Sequence, residues 1–531
     1  VERGIKITSG HEEPGEETDF MKTRWLPILI LPLLSLTLSP DAGASTYYWD
    51  NGGADGLWTN PSNWNPDSVP GSNDTVYLST NCPDAAQFIT LDTHAMLATL
   101  FCTATNNRAY TISATNGCTL TFLGTTDIQG TRTVPLTINA DIRYWDTFSV
   151  QRKSQTVTLS GSITPLTSVG NSFIISDAGT LVLGGSNAFG YIRNDGSGEV
   201  VVRHPYALGT NYFRNQTADG TLSLGTNTVI NGDLQVNANM NLRLNGSGGS
   251  DLTLSVLGDL SGALLTVQPP TNASGRLTLR QVKDSGACLT EFRLAGGTML
   301  VLSNSPGSAR MSWGSTTSPG DATINGDGSF TFEGDSLYFY STNGYSGGTF
   351  IRNGHVYTVG NDRFPTNGTL TVLSPAVLDM HGFTSTVARL TGNGTIDFDP
   401  TSGASGATIV NGFLEPGHTN GVLTFTGKGR LTLAAACTSR FDLVSTSGVS
   451  DKVTFTSTGN LTLDGRLVVT DAGGLEPGDY KVFDLNGGGI SGGFSSVTLP
   501  KGFWGTTYVQ GGDVFLRVNK SGPGGAVMTV R

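Results

Sequence analysis

GTLSL, residues 220–224, is a glycine followed by alternating small polar and apolar side chains. Successive side chains on a β-strand point to opposite sides, so this alternation marks a strand with one buried face. The phrase recurs with small changes as GTLVL (179–183), GRLTL (275–279 and 429–433), GTLTV (368–372), GVLTF (421–425) and GNLTL (459–463). Asn231-Gly232, Asn245-Gly246, Asn353-Gly354 and Asp464-Gly465 punctuate these runs with dipeptides that favour turns.

Many short strands can build a sandwich, a propeller or a β-helix. Propeller blades keep a period of about 40–50 residues, whereas the spacing here varies. Tandem sandwiches of about 100 residues remain a competing arrangement, but no linker rich in proline or charge divides the chain. The pattern therefore predicts an all-β chain coiled as a parallel β-helix, a solenoid with rungs of roughly 20–25 residues stacked about 4.8 Å apart. The coil is expected from about residue 80 to 515. Leu181, Leu183, Leu222, Leu224, Leu277, Leu279, Leu370, Leu461 and Leu463 are expected to point inward.

Composition agrees with this class. Glycine, at 72 of 531 residues, is roughly twice as frequent as usual, and stretches rich in helix formers are missing. The formal net charge is −11 and no basic cluster exists to neutralise phosphates, which excludes nucleic acid as a partner. Near the start, Met21, Lys22 and Arg24 precede the apolar run WLPILILPLLSLTL and then Ala42-Gly43-Ala44. That order predicts a secretory signal peptide read from Met21 and cleaved after Ala44, with an uncleaved membrane anchor as the alternative. The mature chain would start at Ser45 with a net charge of −8 and no transmembrane span. The expected location is extracytoplasmic: secreted, at the cell surface or in the periplasm of a bacterium.

Three tryptophans, Trp49, Trp58 and Trp64, crowd the segment YYWDNGGADGLWTNPSNW (47–64). Two readings stand. Exposed indoles stack on sugar rings, with neighbouring Asn and Asp bonding the hydroxyls. Alternatively the rings close the open apolar end of the first rung as a cap. Five cysteines lack a C-x-x-C pair; either Cys102 and Cys118 form a disulfide or all five are small buried side chains. No catalytic or metal constellation is evident in the sequence. Glu415 and Glu476 lie in two Leu-Glu-Pro-Gly segments that read as turns, and the histidines are scattered. DATINGDGSFTFEGD (321–335), with Asp321, Asn325, Asp327 and Glu333, departs from calcium-loop spacing and reads as a solvated turn. Neither a cofactor nor a metal is expected.

The stretch 344–398 resembles the autotransporter-associated β-strand repeat of bacterial exported proteins. The family's Gly-Gly-Thr strand, its second strand, its Gly-Thr-Leu strand and its turn correspond to Gly347–Thr349, Tyr357–Gly360, Gly368–Leu370 and Leu378–Gly382. Met380 and His381 replace the family's usual Leu and Asn. Segments 413–427, 450–489 and the opening 47–78 are similar to other parts of such chains. The resemblance implies a right-handed parallel β-helix with an N-terminal β cap. Together with the residue patterns it gives the expected division: upstream segment and signal peptide 1–44, Trp-rich cap 45–80, rungs 81–343, repeat-like 344–398, C-terminal rungs 399–520 and flexible tail 521–531. The expected function is a secreted, non-catalytic, passenger-like protein with a structural or adhesive role at the bacterial cell surface. The alternative is a polysaccharide-binding or polysaccharide-degrading β-helix, its partner a cell-surface or extracellular polysaccharide.

Overall fold

A computed structural model describes residues 43–521, except residue 84 and segments 104–107, 125–127, 131–133, 168–171, 210–211, 217–218, 226–229, 245–249, 259–262, 271–273, 281–290, 306–310, 315–321, 399–405, 418–420 and 447–449. At 230–233 and 250–258 it describes the backbone alone. Met21, Ala42, Cys288, Asp321, His418 and the tail from 522 onward lie outside the described residues.

Apart from one 3-10 turn, Pro61–Asn63, every regular element among the described residues is a strand. The strands form sheets of 24, 12, 10 and 4 members. Pairing between consecutive turns is parallel almost throughout, as a solenoid requires. One turn near the start runs through Thr99–Cys102 in the long sheet, Tyr110–Ala114 in the 12-stranded sheet and Thr119–Phe122 in the four-stranded sheet. The next turn re-enters the long sheet at Ile128–Gly130, directly on Leu100–Cys102. The ten-stranded sheet starts at Met311–Trp313, and the 12-stranded one ends at Gly344–Tyr345. Rung length varies accordingly, from 18 residues between the partners Val377 and Thr395 to 32 between Glu291 and Thr323.

The coil starts earlier and ends earlier than the sequence suggested. Thr46–Trp49 already pairs in parallel with Thr75–Leu78. The last parallel pairing joins Arg466–Val468 to Ser496–Thr498. Beyond it, Phe503–Gln510 and Asp513–Lys520 form an antiparallel hairpin that docks on Gly478–Asp484. The reason is local: Gly511 and Gly512 sit at φ 63° and 90°, which suits the two-residue loop that reverses a strand. Asn231-Gly232 is another departure. It lies within the strand Ile230–Val236, where the pairing register shifts between Ile230 and Asp233, so a bulge stands where a turn was expected. Gly354 and Gly465 do take positive φ at turns.

All nine leucines expected inside are buried, none more than 4% exposed. They stack between neighbours of the same kind: Leu222 lies between Val200 and Leu242, Leu181 between Val157 and Val200. Phenylalanines stack down the interior in the same way, Phe122–Phe148–Phe173–Phe189 at 5.1–5.5 Å between centroids and Phe398–Phe425–Phe455 at 5.0–5.5 Å. Cys82, Cys102, Cys118 and Cys437 are buried free thiols, so no disulfide joins Cys102 to Cys118. Cys102 instead receives the Gln155 amide at 3.0 Å, and Cys82 lies 2.8 Å from the Tyr110 hydroxyl.

Polar groups inside the coil are held by the same stacking. Asn194 donates to Asn215 Oδ1 one turn on (2.9 Å), and Asn215 donates to the carbonyls of Ala238 and Asn239 one turn further. Arg152 is wholly buried, and among the described residues no carboxylate pairs with its guanidinium. It donates to the carbonyls of Ser176 (3.1 Å), Asp177 (2.8 Å) and Glu199 (2.9 Å), linking three turns. Burial lowers its pKa to about 10, which leaves it charged at neutral pH.

Candidate functional site

The tryptophan segment folds around one carboxylate. Asp55 accepts from Leu57 N (3.0 Å), Asn60 Nδ2 (2.8 Å) and Asn63 Nδ2 (2.6 Å), and these bonds hold its pKa below the usual range. Asn60 caps the turn Pro61–Asn63 by accepting from Ser62 N. The wholly buried Asn63 accepts from Gly53 N (2.9 Å). The chain is thereby folded back so that Trp49 meets Trp64 edge-on at 4.9 Å, and Trp58 meets Trp64 edge-on at 4.8 Å. Trp64 Nε1 donates to Trp58 O at 2.9 Å. Trp49, Trp58 and Trp64 are at most 1% exposed. Stacking on a sugar ring needs an open indole face, and these three present none. Asp50, Asp55, Asn60 and Asn63 bond within the loop, and Asn51 donates to Gln87 Oε1. Ala44 is exposed at the start of the described chain.

The other residues singled out in the sequence are not brought together. Glu415 is not in a turn: it lies on the strand Ala407–Pro416 and pairs with Arg389 and, at 3.1 Å, with Arg440. Both guanidiniums also lie over the Phe413 ring, Arg440 at 4.5 Å from its centroid. Glu476 accepts from the Thr446 amide (3.1 Å) and hydroxyl (2.8 Å), which lowers its pKa. Asp327 accepts from Ser346 Oγ (3.1 Å), while Glu333 pairs with Arg276 (2.7 Å) and Arg352 (3.8 Å). Asn325 donates to Thr323 Oγ1 at 3.4 Å. Among the described residues, no group of three or more His, Cys, Asp or Glu is placed to hold a metal ion.

One cluster of paired charges is announced by no motif. Where the last turns meet the hairpin, a cleft of about 340 Å³ is lined by residues including Thr446, Asp451, Lys452, Tyr480, Lys481 and Phe515. Lys481 pairs with Asp513 (2.8 Å) and Asp484 (3.6 Å), Lys452 with Asp484 (3.5 Å), and Arg517 with Asp479 (2.9 Å). Arg517 holds the Asp479 carboxyl below its ordinary pKa, and Asp513 raises that of Lys481. Each of these cations therefore has an acid to answer it. The cluster assembles from strands about 30 residues apart in sequence, so its only sequence trace is charge at positions 451–452, 479–484 and 513–517.

Asp451 is the exception to ion pairing. It is buried, and its two oxygens accept from Gly421 N (2.9 Å) and Asp442 N (2.8 Å), tying three strand ends together. Burial outweighs these bonds and pushes its pKa up to about 6. A buried carboxyl with a raised pKa favours the protonated folded state. Its stabilising contribution is fully present below the unfolded value, near 3.8, and is lost as pH rises through about 6. The expected result is that the melting temperature of the native chain, measured relative to that of Asp451→Asn, falls between about pH 4 and 7. A difference that stays flat over this range would refute the raised pKa.

No family model, curated protein or solved structure matches this chain. Its class is therefore defined by the fold itself: an all-β parallel solenoid. No described helix is long and apolar enough to cross a membrane.

Proposed function

We propose that this chain is a secreted, non-catalytic solenoid with a structural or adhesive role at a bacterial cell surface. The observation that carries this reading is the outer face of the coil. Thr111, Thr137 and Thr158 follow one another on successive strands, half-buried and pointing outward. Elsewhere on that face, charged side chains are paired across turns, as in Arg243–Glu199 (3.2 Å), Arg276–Glu333 and Arg389–Glu415–Arg440. Catalysis requires a few reactive groups held in one geometry, whereas repeated shallow contacts add along a rod. The repeat-like stretch 344–398 and the signal-like segment 21–44 support export and a passenger-like, right-handed coil with the tryptophan cluster as its N-terminal cap. Binding to whole cells or purified surface glycans without release of reducing or unsaturated sugars is the expected result. Steady sugar release abolished by one acid-to-amide change would overturn this reading, and recovery of the native protein in the cytoplasmic fraction would overturn export.

Polysaccharide binding is favoured by one further observation. Trp145 is 56% exposed, and the turn-to-turn bonds Leu123 N→Leu97 O, Trp145 N→Phe122 O and Leu166 N→Tyr144 O place Leu123, Trp145 and Leu166 in one outward column. An open indole between two apolar neighbours is suited to the face of a sugar ring. On this reading Trp145→Ala weakens glycan binding about tenfold while leaving the melting temperature unchanged.

A further inference from the structure

Among the described residues, the strand Phe503–Gln510 is the last of the ten-stranded sheet and pairs on one side only, with Asp513–Lys520. Gly511 and Gly512 make the loop, so Gln510 and Asp513 form a hydrogen-bonded pair, and the alternation continues through Tyr508, Thr506 and Trp504. The main-chain N–H and C=O groups of Gly505, Thr507 and Val509 accordingly point away from the hairpin. Natural edges are normally protected by charge, proline or a bulge. FWGTTYVQ has neither charge nor proline, and its pairing with Asp513–Lys520 is unbroken over eight residues. Trp504 and Val509 are both more than half exposed.

We propose that this edge is a self-association site, at which a second copy of the chain adds its own Phe503–Gln510 in antiparallel fashion about a twofold axis at Thr507. In that register Thr507 faces its symmetry mate and Gly505 faces Val509, giving about six main-chain hydrogen bonds. The strand is its own complement. Antiparallel pairing needs the same outward groups on both partners, which a twofold supplies. The exposed Val509 comes to lie beside a glycine, which has no Cβ, and near Leu499, whose Cδ1 is 3.5 Å from where a Cβ on Gly505 would be. Charge sets the direction. Lys501 and Lys520 flank the Phe503 end and Asp513 the loop end, so antiparallel alignment sets unlike charges together while parallel alignment opposes like ones. The paired strands themselves are uncharged, which avoids repulsion between two copies of an acidic chain.

Sedimentation velocity of the full chain over about 1–100 µM tests this. The expected result is a concentration-dependent dimer. Thr507→Pro removes one outward N–H, and Val509→Lys places a charge on the edge; each should weaken association at least about tenfold with an unchanged far-ultraviolet circular dichroism spectrum. Two variants are used because proline at 507 could disturb the hairpin, whereas Val509 is exposed. A native chain that stays monomeric over the range overturns the proposal, as does a dimer that Val509→Lys leaves intact. If a chain ending at Ser521 dimerises where the full chain does not, the edge is occupied by the chain's own last residues, and the second copy is refuted as its native occupant.

Discussion

Leu222→Asp is expected to unfold the middle of the coil. Leu222 is completely buried, with Val200 on one turn and Leu242 on the next, both also without exposure. A carboxylate there would have no cation and no water, and it would either remain charged at a cost of several kcal/mol or take up a proton. The loss should exceed the roughly 2–5 kcal/mol expected for Leu222→Ala, which removes the same contacts without adding a polar group. In a solenoid each turn rests on its neighbours, so the damage should spread locally before it becomes global. Hydrogen exchange is the measurement of choice: amides in Glu199–Val202, Gly220–Leu224 and Met240–Leu244 should lose protection first, with Lys452–Phe455 affected later. Uniform loss across the whole chain would show that the turns do not behave as separable units. Aspartate tolerated with native protection would refute the dry core.

Arg152→Ala is expected to be the next most damaging change. The guanidinium answers three carbonyls, on Ser176, Asp177 and Glu199, that belong to the next two turns. Truncation leaves these acceptors without their donor and opens a space the size of the side chain, a loss on the order of 3–5 kcal/mol. Arg152→Lys should recover part of it, because an ammonium carries three donors but concentrates them at one point and cannot span three turns. Thermal unfolding of the native chain and both variants checks the order native, lysine, alanine. If lysine restores full stability, charge rather than the planar fork is what this position requires.

Both predictions rest on contacts between turns, and the sequence reveals these two cases unequally. Leu222 is legible because its phrase alternates and because every similar phrase buries the same positions. Arg152 is not. Nothing near QRKSQ (151–155) signals that Arg152, and not Lys153, turns inward, since its acceptors are backbone carbonyls 24 to 47 residues away. The C-terminal charge cluster is hidden for the same reason: Lys481 meets Asp513 where the hairpin docks on Gly478–Asp484, and Lys452 meets Asp484 across one turn. The hairpin itself carried a readable signal, Gly511-Gly512 between two apolar alternations, which the expectation of continuous rungs passed over. Among the tryptophans, clustering was evident and burial was not, because an indole beside Asn and Asp serves an open platform or a closed core equally well. The three bonds to Asp55 fold that loop shut.

The strand and its inward face are written in the local alternation. Alternation is a property of five consecutive residues, and a strand converts it directly into an inner and an outer side. Where each strand stands is settled by the folded coil. GTLSL at 220–224 lies in the 12-stranded sheet, GRLTL at 275–279 in the 24-stranded sheet and GVLTF at 421–425 in the ten-stranded sheet, although the three phrases read alike. The folded coil also decides that the outward Ser223 is buried, beneath a bridge from Glu199 to Arg243 two turns apart. Sheet membership and cover depend on how many residues each turn takes to come round, and that length varies from 18 to 32 with the loops between strands. A short phrase holds no record of it, because the register is settled only when one turn is laid on the next.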